Sequence, residues 1–230
     1  MVRFISFICG FVVLCFLWGI YSAPMWRYRL IVDVDTPEGK YSAASVIQVN
    51  VDESRRRLRV TGEAVSVDLG KRGNLFVLLR SEQNIDNASA IVPATFPGPP
   101  PGTPDGIKYY TTLRAEADVP GSAMPMLVSF LVMHDPKTIA PIDSANLAST
   151  FGPGVRLEHV YIQMVPAGIW PFSIASAFWP VRLAGTPVTR TVQSLLPWLS
   201  KHPEPRLLPI SNRFDHAPMS NLTHGDFLKE

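Results

Sequence analysis

The chain is short of the residues from which catalytic and metal sites are usually built. It has two cysteines in 230 residues, and both, Cys9 and Cys15, lie in an apolar N-terminal stretch. The rest of the chain therefore has no disulfide to form and no cysteine pair to bind a metal. There is no Gly-x-Ser-x-Gly elbow, no His-Glu-x-x-His and no phosphate-binding glycine loop. Charged residues make up 17 %, the formal net charge is +2, and no basic stripe is interleaved with aromatics. That composition argues against nucleic acid as a partner. No catalytic residue, cofactor or metal site is assigned from the sequence.

What is present first is apolar. From Phe4 to Ala23 no side chain is charged. As a helix this stretch would be roughly 30 Å long, the thickness of a bilayer's hydrocarbon core. A cleaved signal peptide needs small residues before the cut, but the best cut, after Ala23, has Tyr21 three positions from the bond and Pro24 beyond it. A lipoprotein signal needs a small residue before its cysteine, and Ile8 and Leu14 are too large. An uncleaved anchor over residues 1–25 fits best, with the bilayer as partner of residues 4–23. Trp18, Tyr21 and Trp26 suit its distal interface. Arg3 before the segment and Arg27 and Arg29 after it nearly balance, and a body outside the cytoplasm is favoured because so short a tail precedes the segment. The expected location is a single-pass membrane protein with an extracytoplasmic body.

The body, residues 26–199, opens on β signals. Tyr28, Leu30, Val32 and Val34 alternate with Arg27, Arg29, Asp33 and Asp35, with Ile31 as the exception. Thr36-Pro37-Glu38-Gly39 makes a turn, and Ile47, Val49 and Val51 resume the alternation, predicting an antiparallel hairpin. Apolar positions change parity across Gly62, which predicts a bulge, and again near His159. Leu75–Leu79 and Met126–Met133 read as strands buried on both faces, and Ile107–Ala117 as a further strand. The proline-rich stretch 93–106 reads as an extended surface loop with polyproline II character, whose functional alternative is docking to an aromatic groove on a protein partner. Two helices are expected: a short one over Asp143–Phe151 ending at Gly152, and one starting at Thr186-Pro187 with Val188, Val192, Leu195, Leu196 and Leu199 on one face. Residues 200–230 read as a largely disordered tail, with Phe214 and Phe227 as candidates for docking.

Between the last strand and the second helix lies an apolar run with Ile169, Trp170, Phe172, Phe178 and Trp179. It is too short and too broken by Pro171 and Pro180 to span a bilayer. Trp170, Phe172, Phe178 and Trp179 either fill the core or make a shallow membrane or partner contact, and the return of the chain to the body favours the core. Among the polar candidates, Arg55-Arg56-Arg57 reads as a solvated hairpin end, with contact to phosphate headgroups or another acidic surface as its functional alternative. Glu63, beside the expected bulge, is the body carboxylate most worth testing, and His134-Asp135-Pro136 could orient a base or hold a metal; for both a structural role is favoured.

The strings Tyr28-Arg29-Leu30 with Thr36-Pro37-Glu38-Gly39 and Ser45-Val46-Ile47, then Gly62 to Leu69 with Asn74-Leu75-Phe76, Phe151-Gly152-Pro153-Gly154-Val155 and Leu196-Pro197-Trp198-Leu199 carry a resemblance. Over residues 26–80 and 126–199 the chain resembles a set of uncharacterised bacterial proteins with an N-terminal membrane segment. These strings mark turns, strands and helix ends, so the resemblance implies no activity. The proline-rich stretch and Trp170–Arg182 depart from it.

The fold expected is mainly β (α+β): an N-terminal transmembrane helix, then an antiparallel β-sandwich-like body with one or two short helices. The leading function class is a non-enzymatic envelope protein that binds or organises a partner at the membrane surface. The alternatives are a hydrolase-like enzyme with no recognised motif and a structural subunit of a membrane complex. A cleft where Glu63, His134 and other polar groups converge would favour the enzyme.

Overall fold

The computed structural model describes residues 24–52, 54, 57–168, 185–201 and 222–230. The expected anchor over 4–23, Arg55 and Arg56, Trp170, Phe172, Phe178 and Trp179, and Phe214 lie outside the described residues. Among the described residues no helix is long and apolar enough to cross a membrane.

The alternation at the start of the body produces the predicted hairpin. Strand β1 (Met25–Thr36) pairs antiparallel with β2 (Gly39–Asp52) around Pro37-Glu38. Tyr28, Leu30, Val32 and Val34 of β1 and Ile47 and Val49 of β2 are buried on the inner face. Strand β3 (Arg57–Glu63) adds to β2, and β4 (Val65–Asp68) follows it into a second sheet. Gly62 stands at the crossing with φ 155°, and a Cβ there would lie 3.0 Å from the Ile47 side chain, so close approach and backbone freedom both require glycine. The later strands are β5 (Asn74–Val77), β6 (Glu116–Asp118), β7 (Leu127–Phe130), β8 (Ile139–Ile142), β9 (Arg156–Val165) and β10 (Leu228–Lys229). Among the described residues they form one sheet in the order β10-β3-β2-β1-β9-β6 and another in the order β4-β5-β7-β8, and every pairing is antiparallel. The bulge expected at Gly62 is not seen: β3 pairs in unbroken register, and the parity change there marks the passage from one sheet to the other. The irregularity predicted near His159 is present. Asp33 pairs with His159 but Val34 pairs with Leu157, which leaves Glu158 bulged out of register.

The two sheets share one core, in which Val65, Val67, Leu75 and Val77 face the inner side chains of β1, β2 and β9. The other face of the smaller sheet is covered too. Phe76, Leu78 and Val128 pack there against Val192, Leu196, Trp198, Leu199, Leu222 and Phe227. This double cover is why Leu75–Leu79 reads as continuously apolar.

Several sequence expectations need correction. The stretch 93–106 is a loop only over 96–103: Pro93 lies in the last turn of α1 (Asn87–Thr95), and Pro104 begins α2 (Pro104–Thr112). Residues 107–112 are therefore helical, and the expected strand over Ile107–Ala117 shrinks to β6. The β propensity of Tyr109, Tyr110, Thr111 and Thr112 is overridden by a strong start signal. The Thr103 hydroxyl accepts from the Gly106 N–H at 3.2 Å, Pro104 takes the first position, and Asp105 occupies the first turn. Burial then fixes the helix, since Tyr110 is fully buried with its ring 5.4 Å from that of Trp26. Trp26 is accordingly a core residue, not an interfacial one.

The helix expected over Asp143–Phe151 is reduced to α3 (Ala148–Phe151), because the Asp143 carboxylate closes a tight turn by accepting from the Ala145 N–H at 2.9 Å. Residues 186–191 are not helical either. They run beside the larger sheet, with the Thr189 N–H donating to the Val46 carbonyl at 3.2 Å, and the helix starts later as α4 (Val192–Leu195). The tail expectation fails for residues 222–230. Thr223 and Asp226 form a reciprocal capping box for α5 (His224–Phe227), and β10 pairs with the end of β3.

Candidate functional site

Glu63 and His134 are not brought together. Glu63 is 1 % exposed, and both of its oxygens are engaged at the start of α4. The Thr191 N–H and hydroxyl donate to Oε1, the latter at 2.7 Å, and the Val192 N–H donates to Oε2 at 3.0 Å. A carboxylate from a distant strand thus caps a helix whose own first residues lack a capping side chain. His134 is exposed in the turn between β7 and β8, which Thr138 ties down through bonds to the N–H and the carbonyl of Val132. Glu63→Gln should keep one acceptor and turn a donor toward a donor. The expected loss is about 1–3 kcal/mol of stability, read from the denaturation midpoint. An unchanged midpoint would remove the capping role.

Beyond the ion-paired hollow at the β1–β2 turn, two further hollows among the described residues contain polar groups. The first is shallow and lies on the outer face of the larger sheet, lined by Asp33, Glu116, Asp118, His159 and Tyr161. His159 Nδ1 lies 3.6 Å from Asp118. Burial, and then the carboxylates of Asp33 and Glu116, hold the Tyr161 phenol above its ordinary pKa. Among the described residues no group of three or more histidine, cysteine or acidic side chains is placed to hold a metal ion. The second hollow, of about 560 Å³, lies beside β7 and β8, with Glu82, Asp143, Ser144 and Ser149 on its walls. Asp143 is engaged in its own turn, and the Ser149 hydroxyl donates to the Asn146 carbonyl at 2.8 Å. Neither hollow pairs a nucleophile with a base.

A third feature is defined by register. Met25 pairs with Asn50, Asn50 pairs with Arg59, and Asp52 pairs with Arg57. The Val51 N–H donates to the Pro24 carbonyl at 2.9 Å, so the sheet is hydrogen-bonded from its first described residue. Arg59 is therefore level with the start of β1, and Arg57 extends beyond it. On the other side Arg27 pairs with Val165, and the Met164 N–H donates to the Ala115 carbonyl, which places Arg114 level with Arg27. Residues 166–168 and 185–186 meet at the same end: the Thr186 N–H donates to the Pro166 carbonyl at 2.8 Å, and Arg27 donates to the Thr186 carbonyl at 2.6 Å. Gly185 has φ 74°, and a Cβ there would lie 2.4 Å from the Ala167 backbone, so the two crossings are in direct contact. One end of the larger sheet thus carries the first residue of the body and both ends of the 169–184 segment. Reading the Arg55–Arg57 run alone as a hairpin end misses that Arg59 and Arg114 share its end; only strand register makes this visible.

No family model matches the chain, nor does any curated protein or solved structure.

Proposed function

We propose that the chain is a membrane-anchored, non-enzymatic envelope protein whose body binds or organises a partner at the membrane surface. The observation that carries this reading is the missing spacer. The apolar stretch ends at Ala23, and the sheet begins at Pro24 and Met25 with a backbone hydrogen bond already in place. With residues 4–23 as a transmembrane helix, the end of the sheet that carries Met25 has to lie at the bilayer surface. The engagement of Glu63 as a helix cap, distant from His134 in role and exposure, favours this class over a hydrolase.

The position of Gly168 and Gly185 supports the membrane-contact alternative for Trp170, Phe172, Phe178 and Trp179. The segment that holds them leaves and rejoins the body at one point, at the end proposed to face the bilayer. A structural role in a larger complex is favoured by Leu131 and Val132, which are 80 % and 50 % exposed on a turn fixed by Thr138. In the proline-rich stretch, Ala94, Pro97, Gly98, Pro100, Pro104 and Asp105 are exposed and within a protein partner's reach.

A reporter fused after Glu230 tests the topology. Activity only outside the cytoplasm is expected, and cytoplasmic activity would invert the orientation.

A further inference from the structure

We propose that Arg57, Arg59 and Arg114 rest on anionic phospholipid headgroups and set the posture of the body on the bilayer. This deepens the membrane-anchored reading and rests on it. If residues 4–23 span the membrane, the first strand starts one residue beyond the span, and a chain so short has no slack with which to lift the sheet away. Arg59 is level with Met25 across two strand pairings, and Arg57 lies two residues further out, about 7 Å nearer the bilayer at the rise of a strand. Arg57, Arg59 and Arg114 are all exposed. Among the described residues neither Arg57 nor Arg59 has an ion-pair partner, and Arg114 donates only to the carbonyls of Thr111 and Leu113.

The opposite end of the sheet is richer in carboxylates. Asp33, Asp35, Glu38 and Glu158 lie there, and three cations at that end are ion-paired: Lys40 with Glu158 at 2.5 Å, Arg156 with Asp35 at 2.5 Å and Arg72 with Glu38 at 2.8 Å. Arg57 and Arg59, in no ion pair among the described residues, thus lie at the end proposed to face the bilayer, and most carboxylates of the larger sheet lie toward the other end, with Asp52 opposite Arg57 an exception. Guanidinium is also the side chain best matched to phosphate oxygens, through two parallel hydrogen bonds. An anionic surface would attract the near end and repel the far end within about a Debye length, roughly 10 Å. The body would then stand on its arginine end rather than pivot on the anchor.

The test uses the full chain, with Cys9→Ser and Cys15→Ser, and a fluorophore on Ser54→Cys at the tip of the β2–β3 turn. The protein is reconstituted into vesicles of phosphatidylcholine alone, or of phosphatidylcholine with phosphatidylglycerol. Each vesicle carries a trace of lipid with a quencher on its headgroup. Strong quenching is expected with phosphatidylglycerol and weak quenching without it, since each arginine at an anionic surface shifts occupancy roughly fivefold. Arg57→Glu with Arg59→Glu should reduce quenching to the neutral-lipid level, and Arg57→Gln with Arg59→Gln should fall between, with unfolding midpoints unchanged. Equal quenching in the two lipids, or no response to charge reversal, would overturn the proposal. So would release by inorganic phosphate but not by chloride at matched ionic strength, which would point to a free-phosphate site. A chain that fails to float with vesicles of either kind would instead remove the membrane-anchored reading on which the proposal stands.

Discussion

Deleting residues 222–230 is expected to bring the body to the edge of unfolding. Leu222 and Phe227 are fully buried and Leu228 is 5 % exposed, and each is worth about 1.5–3 kcal/mol of burial. The segment also accepts from buried backbone beside the strands: the Ala64 N–H donates to the Phe227 carbonyl and the Leu79 N–H to the Asp226 carbonyl, both at 2.8 Å. Removing it orphans those donors, at about 1–3 kcal/mol for each group left buried. It also takes away the carboxylate that lies 3.7 Å from the buried Arg80 guanidinium. The sum rivals the whole stability of an ordinary domain, about 5–15 kcal/mol. Trp198, whose ring lies 5.9 Å from that of Phe227, gives a local fluorescence signal for denaturation. The single change Phe227→Ala should cost about 3–5 kcal/mol. A truncated chain with a near-native midpoint would show that the C-terminal clasp is not part of the fold.

The second large effect is on the central hairpin. Ile47→Asp puts a carboxylate where the side chain is 0 % exposed, beneath the backbone of Gly62. An unpartnered buried carboxylate costs several kcal/mol, and it would escape by taking up a proton. Its pKa in the folded state would rise above the unfolded value, so the folded state would bind the extra proton. The deficit should therefore be smallest at low pH and grow as pH rises through the carboxylate range. Gln48→Asp, one residue on, faces the other way and keeps an acceptor for Arg27 Nε, which bonds Gln48 Oε1 at 2.7 Å. It should cost about 1 kcal/mol or less. Equal midpoints for the two variants would contradict the register of β1 and β2.

The hairpin was legible because its period of two continues through both strands and a Pro-Glu-Gly turn joins them. The parity change near His159 announced a register shift, whereas the one across Gly62, read as a bulge, marks a change of sheet. Where the sequence misled, a local signal competed with tertiary packing. Tyr109 to Thr112 have strand propensity, but the Thr103-Pro104-Asp105 cap and the burial of Tyr110 against Trp26 impose a helix. Thr186-Pro187 looks like a helix start, yet the chain there is tied by hydrogen bonds to Val46 and Arg27, and the cap comes from Glu63, over a hundred residues earlier. The end of the chain looked like a tail because its apolar residues, Leu222, Phe227 and Leu228, are few. Their worth lies in the cavity they fill behind the smaller sheet. The arginine end was half visible, as a basic run at a turn. That Arg59 and Arg114 share it, and that Pro24 starts there, follows from strand register alone.

The claim on which the functional account depends is that the body is fastened to a bilayer by its first residues with no spacer. The most direct test is the intact mass of the protein recovered from membranes washed at alkaline pH. The account predicts that the chain stays in the membrane pellet and that its mass includes Met1 to Ala23. A chain released by the wash, or one whose mass begins at Pro24, would contradict it.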